Sequence, residues 1–299
     1  GQSRVNFLLH AELALRDHGS SELALGAVLP DLVRMAHRPA RLGDVRDAPE
    51  PLARVAAGVR HHHELDRWFH RHRVFTEGER RTRLALTTLG SRKLGLFAHP
   101  VWEMLLDGAL IRARGLGASR ERFSPLARDA ELGRAACRFL LAHHPPELVA
   151  VTEPRVVRIL SAVESFELPG GYADAEGVSL RLLGMRRAFG FADPEPAERA
   201  RWVSALGALA PLADETLGEL LAAAPAGRDS ASVRITVRNA TPGSSFGFQV
   251  ATSRPFSLTA GPAGYASTVG EAIGMLQNLR RVERGESWGL DLGRGRVVV

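Results

Sequence analysis

Cysteine is almost missing from this chain of 299 residues: Cys137 stands alone. One cysteine excludes an internal disulfide and any cysteine-built metal knuckle. Its setting, RAACRFLL, is an apolar helical run, where a thiol is expected to be buried and inert. Lysine is as scarce, with Lys93 the only one, so the formal charge of +6 is carried by arginine. A basic balance suits an anionic partner. The arginines are scattered, however, and no basic stripe interleaved with aromatics is present, which points away from nucleic acid. Uninterrupted apolar runs fall well short of the ~20 residues a bilayer span needs. No basic-then-apolar leader with a small-residue cleavage site follows Gly1-Gln2-Ser3-Arg4, so no transmembrane segment and a cytoplasmic location are expected. There is no internal repeat and no low-complexity tract. With 45% hydrophobic and 24% charged residues, the composition is that of a globular protein.

What is present reads as helix after helix from Val5 to about Ala224. Leu13, Leu15, Leu23, Leu25 and Val28 sit among Ala and Glu, and the later runs ELGRAACRFLLAHH and AERARWVSALGALAPLADETLGELLAAA have helical periodicity. Turn chemistry breaks the run at Asp17-His18-Gly19-Ser20, Ala48-Pro49-Glu50-Pro51, Leu89-Gly90-Ser91, Gly115-Leu116-Gly117, Pro145-Pro146 and Pro169-Gly170-Gly171. After a linker at Pro225 to Ser230, the pattern changes. SVRITVR (Ser232–Arg238) alternates as a strand does, Gly247 to Val250 and Pro255 to Leu258 read as strands, and VGEAIGMLQNLRR (Val269–Arg281) reads as one amphipathic helix. Trp288-Gly289-Leu290 and Val297 to Val299 close the chain with strand-like residues. The expected class is mainly α: a helical metal-hydrolase-like domain over 1–225, then a small α/β accessory domain over 231–299.

Histidine is concentrated. Eight of the eleven lie before residue 73, among apolar residues. His62 and Asp66 are four apart in GVRHHHELDRWFH, so they project from one helical face, and His99 and Glu103 repeat that spacing in FAHPVWEMLL. Each pair offers an imidazole nitrogen and a carboxylate oxygen, a mixture that suits zinc, manganese or iron. His10 in NFLLHAELAL, Asp31 after Pro30 in a Pro-Asp helix start, and His72 beyond the end of the Asp66 helix complete seven expected ligands. Taken singly, each has a bland reading: a hydrogen-bonded core histidine, a first-turn acid, a solvated histidine run or a helix cap. The joint pattern points to a metal centre. Arg60, Arg67, Arg71 and Arg73 lie beside it in sequence, and His63 and His70 are candidates for orienting ligands or protonating a leaving group. Of these, His63, His70, Arg60 and Arg71 are the expected catalytic groups.

Val5 to His10 (VNFLLH), Gly26 to Val33 (GAVLPDLV) and Gly58 to Phe75 (GVRHHHELDRWFHRHRVF) resemble, in order, the opening motifs of the acyl carrier protein phosphodiesterases, with AHPVWEMLL matching a fourth helix. The resemblance implies a helical fold related to the HD-type metal phosphohydrolases, and removal of phosphopantetheine from a carrier protein with a divalent metal such as manganese. It puts His10, Asp31, His62, Asp66 and His72 on the family's His and Asp positions, and His99 and Glu103 on two aspartates. The chain departs from the pattern at His63, His70, Arg73 and Met104, where the family has Arg, Asp, Pro and His. Exchanging acids for histidines points away from the carrier protein itself and toward zinc. GAVLPDL is also similar to an element of the zinc-dependent phospholipase C proteins. The ligand order of their superfamily, which includes single-strand nucleases, matches the same seven residues, with His37 or His61 standing in for one more histidine. These resemblances cover about residues 5–110. They imply a phosphodiesterase or phospholipase C-like hydrolase with Zn or Mn, Fe being the other candidate, acting on a phosphate ester, with a carrier protein or lipid headgroup as the expected partner. Two other readings stand beside it: a non-catalytic scaffold derived from such a family, and a diiron-type oxidase on a helical bundle. Gly264-Tyr265-Ala266-Ser267 and Ala272-Ile273-Gly274 are similar to a small accessory module, through which the chain is expected to form homo-oligomers.

Overall fold

The computed structural model describes residues 7–37, 39–43, 48–89 and 93–225, and the backbone of four short strands beyond them. The chain divides into two compact units, Gly1–Gly227 and Arg228–Val299.

The first unit is helical throughout its described residues. Its helices are α1 (Phe7–His18), α2 (Ser21–Ala36), α3 (Leu52–Phe69), α4 (Arg73–Thr88), α5 (Ala98–Arg114), α6 (Leu116–Phe123), α7 (Ala130–Leu140), α8 (Pro146–Glu164), α9 (Glu167–Gly170), α10 (Ala175–Ala188) and α11 (Pro196–Ala223). Short polar side chains start several of them, because the first N–H groups of a helix have no partner within it. Ser20 accepts from Leu23 N at 3.2 Å, Asp129 from Leu132 N at 2.8 Å and Asp174 from Gly177 N at 2.8 Å. At Gly115, φ is +87°, a conformation glycine tolerates best, and there the chain turns from α5 into α6.

Helix α5 is the axis of the unit. Every residue from Ala98 to Ile111 is buried, and α1, α4, α10 and α11 pack on it. Leu94–Arg114 is long and apolar enough by composition to cross a membrane, although His99, Glu103 and Asp107 break the uninterrupted apolar run, and 94% of its apolar window is covered by the rest of the protein. The lone thiol, Cys137, is buried on α7, and burial pushes its pKa up to about 12, which leaves it the inert group expected.

Two glycines let α2 and α3 cross at close range. A Cβ on Gly58 would lie 2.0 Å from Leu23 O and 2.8 Å from Gly26 Cα, and one on Gly26 would lie 2.0 Å from Val55 O. The α2 and α3 backbones therefore touch, four residues before His62 and five before Asp31. Gly58→Ala is expected to force the helices apart, costing about 3 kcal/mol or more. For a domain of this size that is a fall of roughly 6–12 °C in melting temperature, measurable by calorimetry.

Pro30 does not start a helix; it lies inside α2, so Asp31 is mid-helix. Proline removes the N–H that would bond four residues back and crowds that carbonyl. The next carbonyl along, Ala27 O, accepts a hydrogen bond from His62 Nδ1 at 2.8 Å.

In the second unit, Arg234–Val237 (β1) pairs antiparallel with Phe248–Ala251 (β2), Arg234 opposite Ala251. Gly289–Asp291 (β3) pairs antiparallel with Arg296–Val298 (β4), Gly289 opposite Val298. The strand expected at Pro255–Leu258 and the helix expected at Val269–Arg281 lie outside the described residues.

Candidate metal centre

Two helices each carry a stripe of polar side chains stepping by four, the spacing that stacks them on one face. On α3 and its C-terminal residue these are His62, Asp66 and His70; on α5 they are His99, Glu103 and Asp107. All but His70 are buried. Ionisable groups in such surroundings carry a desolvation cost unless they are paired or hold a cation.

Their donor atoms converge in two sets, His10–Asp31–His62 and His70–His99–Glu103, each with its three ligand atoms within 4.8 Å of one another. Both sets could hold a metal ion. In the first, His62 Nδ1 donates to Ala27 O at 2.8 Å, which fixes the ring and leaves Nε2 directed to Asp31 Oδ1, 3.9 Å away. His10 stacks against His62 with ring centres 4.1 Å apart, and its buried Nδ1 has no hydrogen-bond partner among the described residues. Burial, with His62 alongside, drives the His10 pKa well below its ordinary value. A neutral imidazole with an open nitrogen lone pair is the form that binds metals.

In the second set, His99 Nε2 lies 3.1 Å from Glu103 Oε1, off the line of a well-formed hydrogen bond. Its other nitrogen, Nδ1, donates to Glu79 Oε2 on α4, also at 3.1 Å. The His70 ring stacks on His99 at 4.8 Å, and its Nε2 lies 3.0 Å from Asp66 Oδ1. Two donors each about 2.1 Å from a shared ion are separated by roughly 3.0–3.4 Å. The 3.1 Å approach of His99 to Glu103 matches a coordination shell, while the 3.9 Å approach in the first set requires a closure of some tenths of an ångström. Asp66 serves both sets: it bonds His70, and its charge raises the pKa of His10 against the effect of burial.

Electrostatics differ between the sets. Burial alone would lower the pKa of His99, but the carboxylates of Glu103 and Glu79 raise it to about 10. Burial also holds the Asp107 carboxyl well above its usual range, although Leu8 N and Leu9 N donate to it at 3.2 and 3.0 Å. Those are first-turn amides of α1, so Asp107 caps that helix from α5 and fixes the segment bearing His10.

Six of the seven expected ligands surround this centre: His10, Asp31, His62, His99 and Glu103 in the two sets, and Asp66 against His70. His70, expected in a supporting role, falls among the converging donors. His72 lies outside both: it precedes α4 in an extended conformation, its ring 4.8 Å from Trp68. The other expected catalytic groups are in neither set. His63 is exposed, its ring edge-on to His62 at 5.4 Å, Arg60 is half-buried on α3, and Arg71 is exposed in the α3–α4 turn. His37 ends α2, and His61 packs its ring against His18 at 5.3 Å; neither joins a set.

Sequence reading passed over Asp107 and Glu79. Asp107 continues the four-residue step of His99 and Glu103, a signal that was available. Glu79 had none, because TEGERRTR has the charge density of a solvated helix. No family model, curated protein or solved structure matches this chain.

Proposed function

We propose that the helical unit is a metal-dependent phosphoric ester hydrolase, of phosphodiesterase or phospholipase C-like type. The observation that carries this reading is the pair of His–carboxylate donor sets joined by Asp66 and His70, one sealed and one reached by solvent. In the first set no residue exceeds 2% exposure, whereas the His70 side chain is 27% exposed. A divalent ion in such a set supplies Lewis acidity and makes a water nucleophilic near neutral pH. Zinc fits the two-histidine sets best, with manganese and iron as the other candidates.

The chain's own residues supply substrate binding and charge. Arg67 in the last turn of α3, Arg71 in the α3–α4 turn and Arg73 at the start of α4 flank His70 in sequence and are exposed, and no carboxylate pairs with them among the described residues. Elsewhere arginines are commonly paired, as in Arg80 and Arg81 with Glu77 and Arg112 with Asp214. Unpaired guanidinium groups at the solvent edge bind the phosphoryl oxygens and offset charge developing on them. With His70 committed to the second donor set, His63, exposed and edge-on to His62, is the group proposed to protonate the leaving oxygen. Arg71→Ala is expected to raise KM for an anionic phosphodiester about tenfold while leaving metal content unchanged.

Hydrolysis of bis(p-nitrophenyl) phosphate by zinc- or manganese-loaded protein tests the reading. Iron with an oxygen-dependent optical band would replace it with the oxidase reading, and a protein that binds no metal would replace it with the scaffold reading. The His99 environment adds a proton count. In metal-free protein the folded His99 pKa is raised above its ordinary 6.5 to about 10. The stability it contributes is therefore complete below pH 6.5 and is lost as pH rises toward 10. A cation binding Nε2 at pH 8 must displace that proton. Calorimetric titrations in two buffers of different ionisation enthalpy should show about one proton released from this position; proton-neutral binding contradicts the assignment of His99 as a ligand.

A further inference from the structure

The contacts behind His99 form a chain that the hydrolytic reading does not use. Glu79 Oε2 accepts from His99 Nδ1, and its other oxygen accepts from Arg83 Nη2 at 2.6 Å. Arg83 in turn donates through Nη1 to Gly95 O at 3.0 Å, in the turn that leads into α5. Both carboxylate oxygens are occupied, so Glu79 has one orientation. Its helix is held equally firmly. A Cβ on Gly78, the preceding residue, would lie 2.0 Å from the Trp102 ring, so α4 and α5 meet at the distance of a bare glycine. Trp102 is three residues beyond His99 on α5, and its ring is fully buried.

We infer that Glu79, held by Arg83, is a positioning residue that sets the metal affinity of the His70–His99–Glu103 set. The inference rests on that set being a metal site. A carboxylate on the far nitrogen fixes which imidazole nitrogen keeps its hydrogen, locks the ring's rotation and makes the ligating nitrogen more basic. The first set has a weaker counterpart, since His62 Nδ1 donates to the neutral carbonyl Ala27 O. The two sets therefore differ in tuning: one histidine is backed by a charge and the other by a peptide. Losing the charge should affect only the second set.

The test is zinc affinity of the full chain, by competition with a chromophoric chelator, for wild type, Glu79→Ala, Glu79→Gln, Glu79→Asp and Arg83→Met. Loss of such a partner typically weakens metal binding 10–100-fold. Glu79→Ala is expected to weaken one ion by that factor and leave the other at its wild-type affinity. Glu79→Gln keeps the shape without the charge and should fall between, Arg83→Met should follow Gln, and Glu79→Asp should recover part of the loss. With cobalt in place of zinc, the visible absorption of the second ion should change in Glu79→Ala and that of the first should not. A merely structural role would shift neither the single affinity nor the single spectrum. If Glu79→Ala does not fold, Glu79→Gln carries the comparison. Wild type binding two ions with all variants unchanged overturns this inference alone; wild type binding none overturns it together with the hydrolase reading.

Discussion

Removal of divalent metal from the folded protein is expected to lower its melting temperature by about 8–16 °C. The centre holds buried carboxylates on three elements, Asp31 on α2, Asp66 on α3, and Glu103 and Asp107 on α5, at 1%, 7%, 2% and 0% exposure. Negative groups this close in a low-dielectric interior repel one another, and burial penalises each ionised form. The response is visible at Asp107, whose carboxyl is pushed toward the protonated form by burial, with Glu103 and Asp31 adding to the effect. A cation bound only by the folded state stabilises it by about 4 kcal/mol when present at a thousand times its Kd. Each kcal/mol corresponds to roughly 2–4 °C in a domain of this size. Calorimetry before and after dialysis against a strong chelator measures the shift, and adding zinc back should restore it. The same experiment on Asp31→Asn should give a smaller shift, because one anionic ligand of the first set has been lost.

The second large effect concerns activity. Asp66→Ala is expected to reduce phosphodiester hydrolysis by about 10³-fold while the fold survives. Asp66 acts on both sets, through Oδ1 at 3.0 Å from His70 and through its field on His10. Its loss removes the hydrogen bond to His70 Nε2 and the negative charge that acts on His10. A thousandfold change is about 4 kcal/mol of transition-state stabilisation, within the range supplied by a cation and its ligands. His62→Ala should match it, since it opens the first set at its best-fixed ligand. Circular dichroism separates this from unfolding, and a rate within threefold of wild type in either variant would refute the assignment.

Much of the centre was legible because helices repeat. His62–Asp66 and His99–Glu103 stand out at a spacing of four whatever the tertiary structure, and the runs around them are apolar enough to place them inside. The same rule explains the exchange of His70 for His72. His70 keeps helical torsions at the end of α3, so it is four residues from Asp66 on the same face. Two residues later the backbone is extended, with ψ near 127° at His72, and that side chain turns to Trp68. Pro30 misled for the opposite reason. A proline usually marks a helix's first turn, but here packing of α2 against α3 holds the helix through it. Glu79 could not be found from sequence, since only the crossing of α4 on α5 distinguishes it from Glu77, which pairs with Arg80 and Arg81 on the surface. After residue 225 only four short strands are described, and the strand expected at Pro255–Leu258 and the helix expected at Val269–Arg281 lie outside the described residues.

Metal content is the most direct test of the central claim. The purified full chain, loaded with zinc, desalted and analysed by inductively coupled plasma mass spectrometry, should retain two ions, one for each donor set. His62→Ala should lose the ion of the first set and His99→Ala that of the second. A wild-type protein that retains no metal, and whose melting temperature is unchanged by chelator, would contradict the account.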